Sequence, residues 1–510
     1  MSDIFESVIR KGYPSNENEL SLGAVVLEGE CRKNLPVQIS LRTMNRHGLI
    51  SGATGTGKTK TIQLIAEKLS SSGVPVLLMD VKGDLSGLGA AGKIHPKIEE
   101  RMKMTGYQWE PRQFPVELLT ISEEKGVRLR ATVSEFGPVL FSKILELNDT
   151  QAGVVSLLFK YCDDHQIPLL DLKDFKKTLQ YLTNEGKVEI EKEYGRIRTA
   201  SASTILRKVI ETEQQGSEKF FGEKSFDPDD LMRMDENGYG YINIIRLSDI
   251  QDKPKLFSTF MLSILAEIYA SFPEEGDPEQ PKLVLFIDEA HLIFKEASKA
   301  LLEQIETIIK LIRSKGVGIF FCTQSPTDIP RAVLAQLGLK VQHALRAFTA
   351  QDRKDIKLIA ENYPLSEFYQ TEELITQLGI GEALITALNE KGVPSPLVHV
   401  MLCAPQSRMD VLTDDEINSV VSRSPLVLKY NEEIDRESAF EILNKKLLQH
   451  QQEIQQRNPA EKSPPSAFEQ AVTGTVGKTV MRTAATILTR SLLGALGISG
   501  TTRRRKSGWF

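Results

Sequence analysis

The chain has 510 residues, 41% hydrophobic and 26% charged, the make-up of a soluble globular protein longer than one ordinary domain. A formal net charge of −5 excludes a global attraction to nucleic acid or anionic membrane, so any such contact must be a local patch. Cys31, Cys162, Cys322 and Cys403 lie far apart without C-x-x-C spacing, which excludes a zinc ribbon or disulfide framework and fits a reducing compartment. Residues 1–6 lack signal-peptide form and no apolar run of about 18 residues occurs, so a cytoplasmic protein with no membrane span is expected.

In chain order, residues 1–45 form a short N-terminal β segment. Its two strand-like stretches, 23–27 and 37–41, suit an edge hairpin rather than a barrel. Residues 46–133 read as strand 47–51, a glycine-rich loop, a helix with apolar positions Ile62, Ile65, Ala66 and Leu69, and a buried strand 74–79 ending on Asp80. Further strands are expected at 116–121 and 127–133. From 134 to 235 the pattern turns helical (138–146, 151–163, 172–182, 201–212) and reads as an insertion. Strands resume at 241–247, 283–287, 317–322 and 341–345. Segments 381–388 and 396–402 make a hairpin turning at Asn389-Glu390-Lys391-Gly392.

The 236–410 stretch therefore completes the unit begun at 46. Strand–helix alternation predicts a mostly parallel sheet with helices on both faces, an α/β class. Residues 411–510 read as a helical C-terminal region with a helix at 435–456 and a linker containing Pro464 and Pro465. Residues 474–510 contain no Asp or Glu but include Lys478, Arg482, Arg490 and Arg503-Arg504-Arg505-Lys506. This basic amphipathic tail reads first as a helix packed on its own core, with a peripheral membrane surface, phosphates or a ring of subunits as the alternatives.

Gly52-Ala53-Thr54-Gly55-Thr56-Gly57-Lys58-Thr59 fits the phosphate-binding loop G-x-x-x-x-G-K-[ST]. The glycines let successive N–H groups point into one anion nest, and the following helix directs its positive end there. Lys58 is expected on the β- and γ-phosphates and Thr59 on Mg²⁺, with Lys60 beside the bound nucleotide. Leu283-Val284-Leu285-Phe286-Ile287-Asp288-Glu289 is an apolar strand ending in two carboxylates. That pattern places Asp288 beside Mg²⁺ and Glu289 as general base toward the attacking water. His291 fits a supporting position. Gln324, ending the strand 317–322, suits a sensor of the γ-phosphate or its water, with a strand-end cap as the alternative. Lys82 reads either as a phosphate or pore contact or as a solvated loop lysine.

With Arg46-His47, Asp80-Val81-Lys82-Gly83-Asp84, Ile287-Asp288-Glu289-Ala290-His291, Arg313-Ser314-Lys315-Gly316 and Thr323-Gln324-Ser325-Pro326 in order, the chain resembles the HerA/FtsK branch of P-loop ATPases. Within that branch, 341–349 and 435–439 resemble a bacterial HerA-like group. The resemblance implies a RecA-like core and a homo-hexameric ring that hydrolyses ATP with Mg²⁺ and translocates or remodels double-stranded DNA. It also implies an arginine supplied by the neighbouring subunit, for which Arg313, Arg46 and Arg346 (ending the strand 341–345) are the candidates. Two other readings stay open: an ATP-driven machine acting with a protein partner and no DNA track, and a slow ATP-binding scaffold.

Overall fold

The computed structural model describes residues 2–14, 18–276, 278–296, 299–432, 434 and 436–457, so the predicted basic tail lies outside the described residues. The chain divides into two units, Met1–Asn444 and Lys445–Phe510. The described part of the second is the end of a helix, Ala439–Arg457.

The first unit opens with α1 (Ser2–Gly12), then β1 (Glu19–Leu27), β2 (Glu30–Ser40), β3 (Gly48–Ser51), α2 (Lys58–Ser71), β4 (Val76–Asp80) and α3 (Pro96–Thr105). After β5 (Val116–Thr120) and the two-residue β6 (Val127–Arg128) come five helices: α4 (Val133–Ile144), α5 (Asp149–Asp164), α6 (Leu172–Thr183), α7 (Lys187–Glu193) and α8 (Thr199–Gln214). Then follow β7 (Ile242–Arg246), α9 (Pro254–Ser271), β8 (Leu283–Ile287), α10 (His291–Glu296), α11 (Lys299–Ile312), β9 (Val317–Thr323), β10 (Leu339–Gln342), β11 (Glu382–Ala387) and β12 (Val398–Leu402).

All twelve strands join one sheet in the order β2-β1-β12-β11-β10-β3-β9-β8-β4-β7-β5-β6. From β10 to β6 every neighbouring pair is parallel, whereas β11, β12, β1 and β2 add an antiparallel edge. The central strands are apolar on both faces, as parallel strands covered by helices must be. Along β8, Leu283, Leu285 and Ile287 join the core on one face, while Val284 and Phe286 join the core on the other. Helices α4, α5, α6 and α8 pack into the first of these cores through Phe141, Leu158, Phe175 and Ile205; the second holds Ile62, Ile65 and Leu69 of α2.

Three expectations are corrected. The strand expected at 127–133 pairs only over Val127–Arg128. Beyond it the chain stays extended, with Ala131 N donating to Phe220 O (3.1 Å), until Thr132 caps α4. The extended, largely buried backbone of 129–132 resembles a strand but has no ladder beyond Arg128. The strand expected at 341–345 is β10, which ends at Gln342, so Arg346 does not end a strand. Finally α1 was not foreseen, although Phe5 and Ile9 stand four apart and are both buried.

His47 fixes the entry to β3. Its Nδ1 accepts from Ile319 N (3.0 Å) and its Nε2–H donates to Ile309 O (2.8 Å), so both ring nitrogens are used by a neutral imidazole. Burial pushes its pKa down to about 4, partly offset by the Ile309 carbonyl and reinforced by nearby Arg313. A depressed folded pKa gives stability that is complete above the unfolded value near 6.5 and is lost as pH falls toward the folded one. The stability gap between wild type and His47→Gln should therefore narrow by about 1.4 kcal/mol per pH unit below pH 6. Urea midpoints at pH 7, 6 and 5 measure this; parallel profiles would refute it.

Candidate active site

The glycine-rich loop joins β3 to α2 and is held from three sides. Gly52 N donates to Thr323 O (3.3 Å), Ala53 N to Ala344 O (2.8 Å), and Gly381 N to Thr56 O (3.0 Å). Gly52 has φ 153°, and a Cβ there would stand 2.5 Å from the His343 Cβ, so only glycine fits. Thr54 and Gly55 form the exposed crest. Lys58, only 6% exposed, reaches back over the loop, its Nζ donating to Gly52 O (2.6 Å) and Ala53 O (3.1 Å). Burial lowers its pKa, opposed by the nearby carboxylates of Glu289 and Asp288. Beneath the loop, His343 Nε2 bonds the Thr61 hydroxyl at 2.8 Å, and burial pushes that imidazole down to about 4.

The Lys60 side chain turns away from the loop, donating to Met409 O (2.6 Å) and Gln63 Oε1 (3.1 Å). It borders a cavity of ≈ 720 Å³ that opens beside Gly57 and is walled by Ile98, Arg101, Ile380 and Leu402. That volume suits the nucleoside end of a nucleotide. Sequence reading missed these walls because they come from α3, the turn before β11 and the end of β12, none of which carries a nucleotide motif.

Strand order brings the other half of the site to the loop. β9 lies between β3 and β8, so Gln324, one residue past β9, emerges between the glycine-rich loop and Asp288-Glu289, with its side chain exposed. Asp288 is 2% exposed and its Oδ2 has no hydrogen-bond partner. Burial raises its pKa, opposed by Lys82 and reinforced by Glu289. Glu289 is a non-glycine residue at φ 48°, a strained conformation of the kind found where a side chain must be aimed. Its carboxylate is buried between the Lys82 ammonium, which pairs with Oε1, and His291 Nδ1, 3.1 Å from Oε2. Lys82 stays exposed, as a loop lysine would be, with its ammonium paired to Glu289.

The loop that carries Lys82 is built by Asp80. Its carboxylate accepts from the backbone N–H groups of Gly83 (2.7 Å), Asp84 (3.2 Å) and Leu85 (3.0 Å). Burial raises the Asp80 pKa to about 7 against those hydrogen bonds. Thr59 Oγ1 donates to Asp84 Oδ2 at 3.3 Å. The fit to Mg²⁺ and a polyphosphate is good: a hydroxyl, an unpartnered buried carboxylate oxygen, a glycine nest and an ammonium converge.

The three nominated arginines stand elsewhere. Arg46 precedes β3 and Arg313 precedes β9, at the amino ends of strands whose carboxyl ends carry the site. The seven residues of β9 separate Arg313 from the catalytic end by on the order of 20 Å. Arg46 donates from Nη1 to Asn389 O and from Nη2 to Glu390 O, both at 2.6 Å. Arg346 lies at the same end as the site, exposed in the loop after β10, with Nη1 donating to Thr376 O (2.9 Å).

A mostly parallel sheet, a glycine-rich phosphate loop and a paired carboxylate at the end of a neighbouring strand define a P-loop ATPase of RecA-like fold. Within that class the chain belongs to the helicase HerA-like C-terminal family, whose model matches residues 26–467. It is 24% identical over 380 residues to the DNA double-strand break repair helicase HerA of Saccharolobus solfataricus, covering 74% of this chain and 67% of the relative. It is 25% identical over 371 residues to the DNA import protein CedB of Sulfolobus acidocaldarius, covering 70% of this chain and 52% of that one. The chain thus spans between half and two thirds of the length of these relatives. Among solved structures it resembles the bacterial conjugative coupling protein TrwB, with TM-score 0.52, 14% identity, and coverage of 80% of this chain and 94% of that one. The plasmid coupling protein TrwB in complex with ADP and Mg²⁺ matches with TM-score 0.51 and 16% identity, covering 80% and 94%; at such identities the likeness is one of fold.

Proposed function

We propose that the chain hydrolyses ATP with Mg²⁺ in a ring of identical subunits and uses the energy to move along or remodel double-stranded DNA. The observation that carries the hydrolytic part is Glu289, held at a strained backbone angle beside Asp288 and across from Gly52–Lys58. Lys58 and the loop N–H groups bind and orient the phosphates, Thr59 and Asp288 hold the cation, and Glu289 takes the proton of the attacking water. Bound Mg²⁺ supplies charge neutralisation on the phosphates. Gln324 orients that water or the γ-phosphate from the end of β9.

The ring rests on the arginines. Arg46 and Arg313 cannot reach their own site from the far end of the strands, so a neighbour's copy is the available cation for the transferring phosphoryl group. The DNA track rests on the relatives, named as DNA repair and DNA import proteins. Steady-state ATPase assays with and without linear duplex DNA test it. Turnover that rises several-fold with DNA is the expected result. Equal turnover in both, with Glu289-dependent hydrolysis intact, would favour a protein substrate and remove DNA as the track. ATP binding without turnover under any condition would leave only the scaffold reading.

A further inference from the structure

We propose that Asp84 positions the divalent cation of the nucleotide site, a role the glycine-rich loop and the Asp288-Glu289 pair do not by themselves announce. The inference rests on the hydrolytic reading above and adds a residue to it. Thr59 spends its only hydroxyl proton on Asp84 Oδ2. Its lone pairs are then turned away from Asp84, and a cation requires lone pairs. The other oxygen, Asp84 Oδ1, is shielded from solvent and has no hydrogen-bond partner, and the same is true of Asp288 Oδ2. Two buried orphan carboxylate oxygens around one hydroxyl are costly unless positive charge or a donor meets them.

Asp80 is not the residue in question, although it stands beside Asp288. Its oxygens are already used by three backbone N–H groups, and those bonds shape the turn that delivers Asp84 to Thr59. Positive charge lies near, Lys60 beside Asp84 and Lys82 beside Asp288, but the ammonium hydrogen bonds go to other acceptors: Lys82 pairs with Glu289, Lys58 is bonded to the loop carbonyls, and Lys60 reaches Met409 O and Gln63 Oε1. Among the described residues no group of three or more His, Cys, Asp or Glu side chains could hold a metal alone. Magnesium does not need one: it takes one or two carboxylates together with waters and substrate phosphates. In this arrangement Asp84 fixes the Thr59 hydroxyl on one oxygen, and its other oxygen would be left to support the cation.

The test is a metal titration that needs no turnover. Binding of a fluorescent ATP analogue is followed against Mg²⁺, and Mn²⁺ occupancy is read by electron paramagnetic resonance, for wild type, Asp84→Asn and Asp288→Asn. Asp84→Asn should raise the half-saturating metal concentration by about 10–100-fold, the usual cost of removing an outer partner of a metal ligand. Its binding of the analogue in EDTA should stay unchanged. An unshifted metal titration for Asp84→Asn while Asp288→Asn is shifted overturns this inference and spares the site. Loss of analogue binding in EDTA by Asp84→Asn also overturns it, since Asp84 would then serve only the shape of the loop. If Asp288→Asn leaves the titration unmoved as well, the cation site itself is misassigned.

Discussion

Glu289→Gln is expected to lower kcat by about 10²–10⁴-fold, the usual worth of a positioned general base, with little change in ATP affinity. The amide keeps the shape of the side chain but cannot accept the water's proton. Glutamine also removes the charge that holds Lys82, so some change in KM is tolerable within the reading; an unaltered kcat is not. The effect should be large because the carboxylate is buried between Lys82 and His291. Its neighbour Asp288 carries a pKa raised by burial, opposed by Lys82 and reinforced by Glu289. Single-turnover hydrolysis with saturating ATP is the direct measurement, with analogue binding measured in parallel.

Arg313→Ala should lower kcat by about 10³–10⁵-fold, the range for an arginine that stabilises the transferring phosphoryl group, while the chain still binds ATP. A structural role for Arg313 near His47 could mimic that loss, so a second measurement is required. Co-expression of Arg313→Ala with Glu289→Gln subunits separates the two. In a mixed ring, a Glu289→Gln subunit lends its intact arginine to the site of an Arg313→Ala neighbour, whose base is intact. Partial recovery of turnover is expected. Its absence, with mixed assemblies demonstrated, would place the arginine's effect inside its own subunit. Arg46 is the weaker candidate on geometry, because both its terminal nitrogens already hold the turn at Asn389 and Glu390. Arg346 is exposed and donates to Thr376 O.

Much of the core was legible because its signals are local. The glycine-rich loop, the apolar run 283–287 with its two acids, and the helix with Ile62, Ile65 and Leu69 each lie within about one element. What escaped is what long-range packing decides. The pairing of Lys82 with Glu289, the bond from Thr59 to Asp84, and His343 under Thr61 join segments that only the strand order brings together. The mistaken end of β10 has the same origin. The chain past Gln342 stays buried because His343 N donates to Ser51 O and Ala344 O accepts from Ala53 N, so it supports the loop rather than a strand. The burial of all five residues 341–345 is real, but the ladder has stopped. The tail could be read for charge and period alone.

β9 has a consequence for timing. All seven of its residues are buried and it is laddered on both sides, by β3 and β8, so it moves as a stiff rod if it moves at all. Gln324 stands at one tip and Arg313 just before the other. If Arg313 serves an adjacent protomer, as proposed, the two tips belong to different catalytic centres. Loss of a γ-phosphate at one centre would then push or pull on the next through a single strand, and firing around the ring could run in sequence without any dedicated relay.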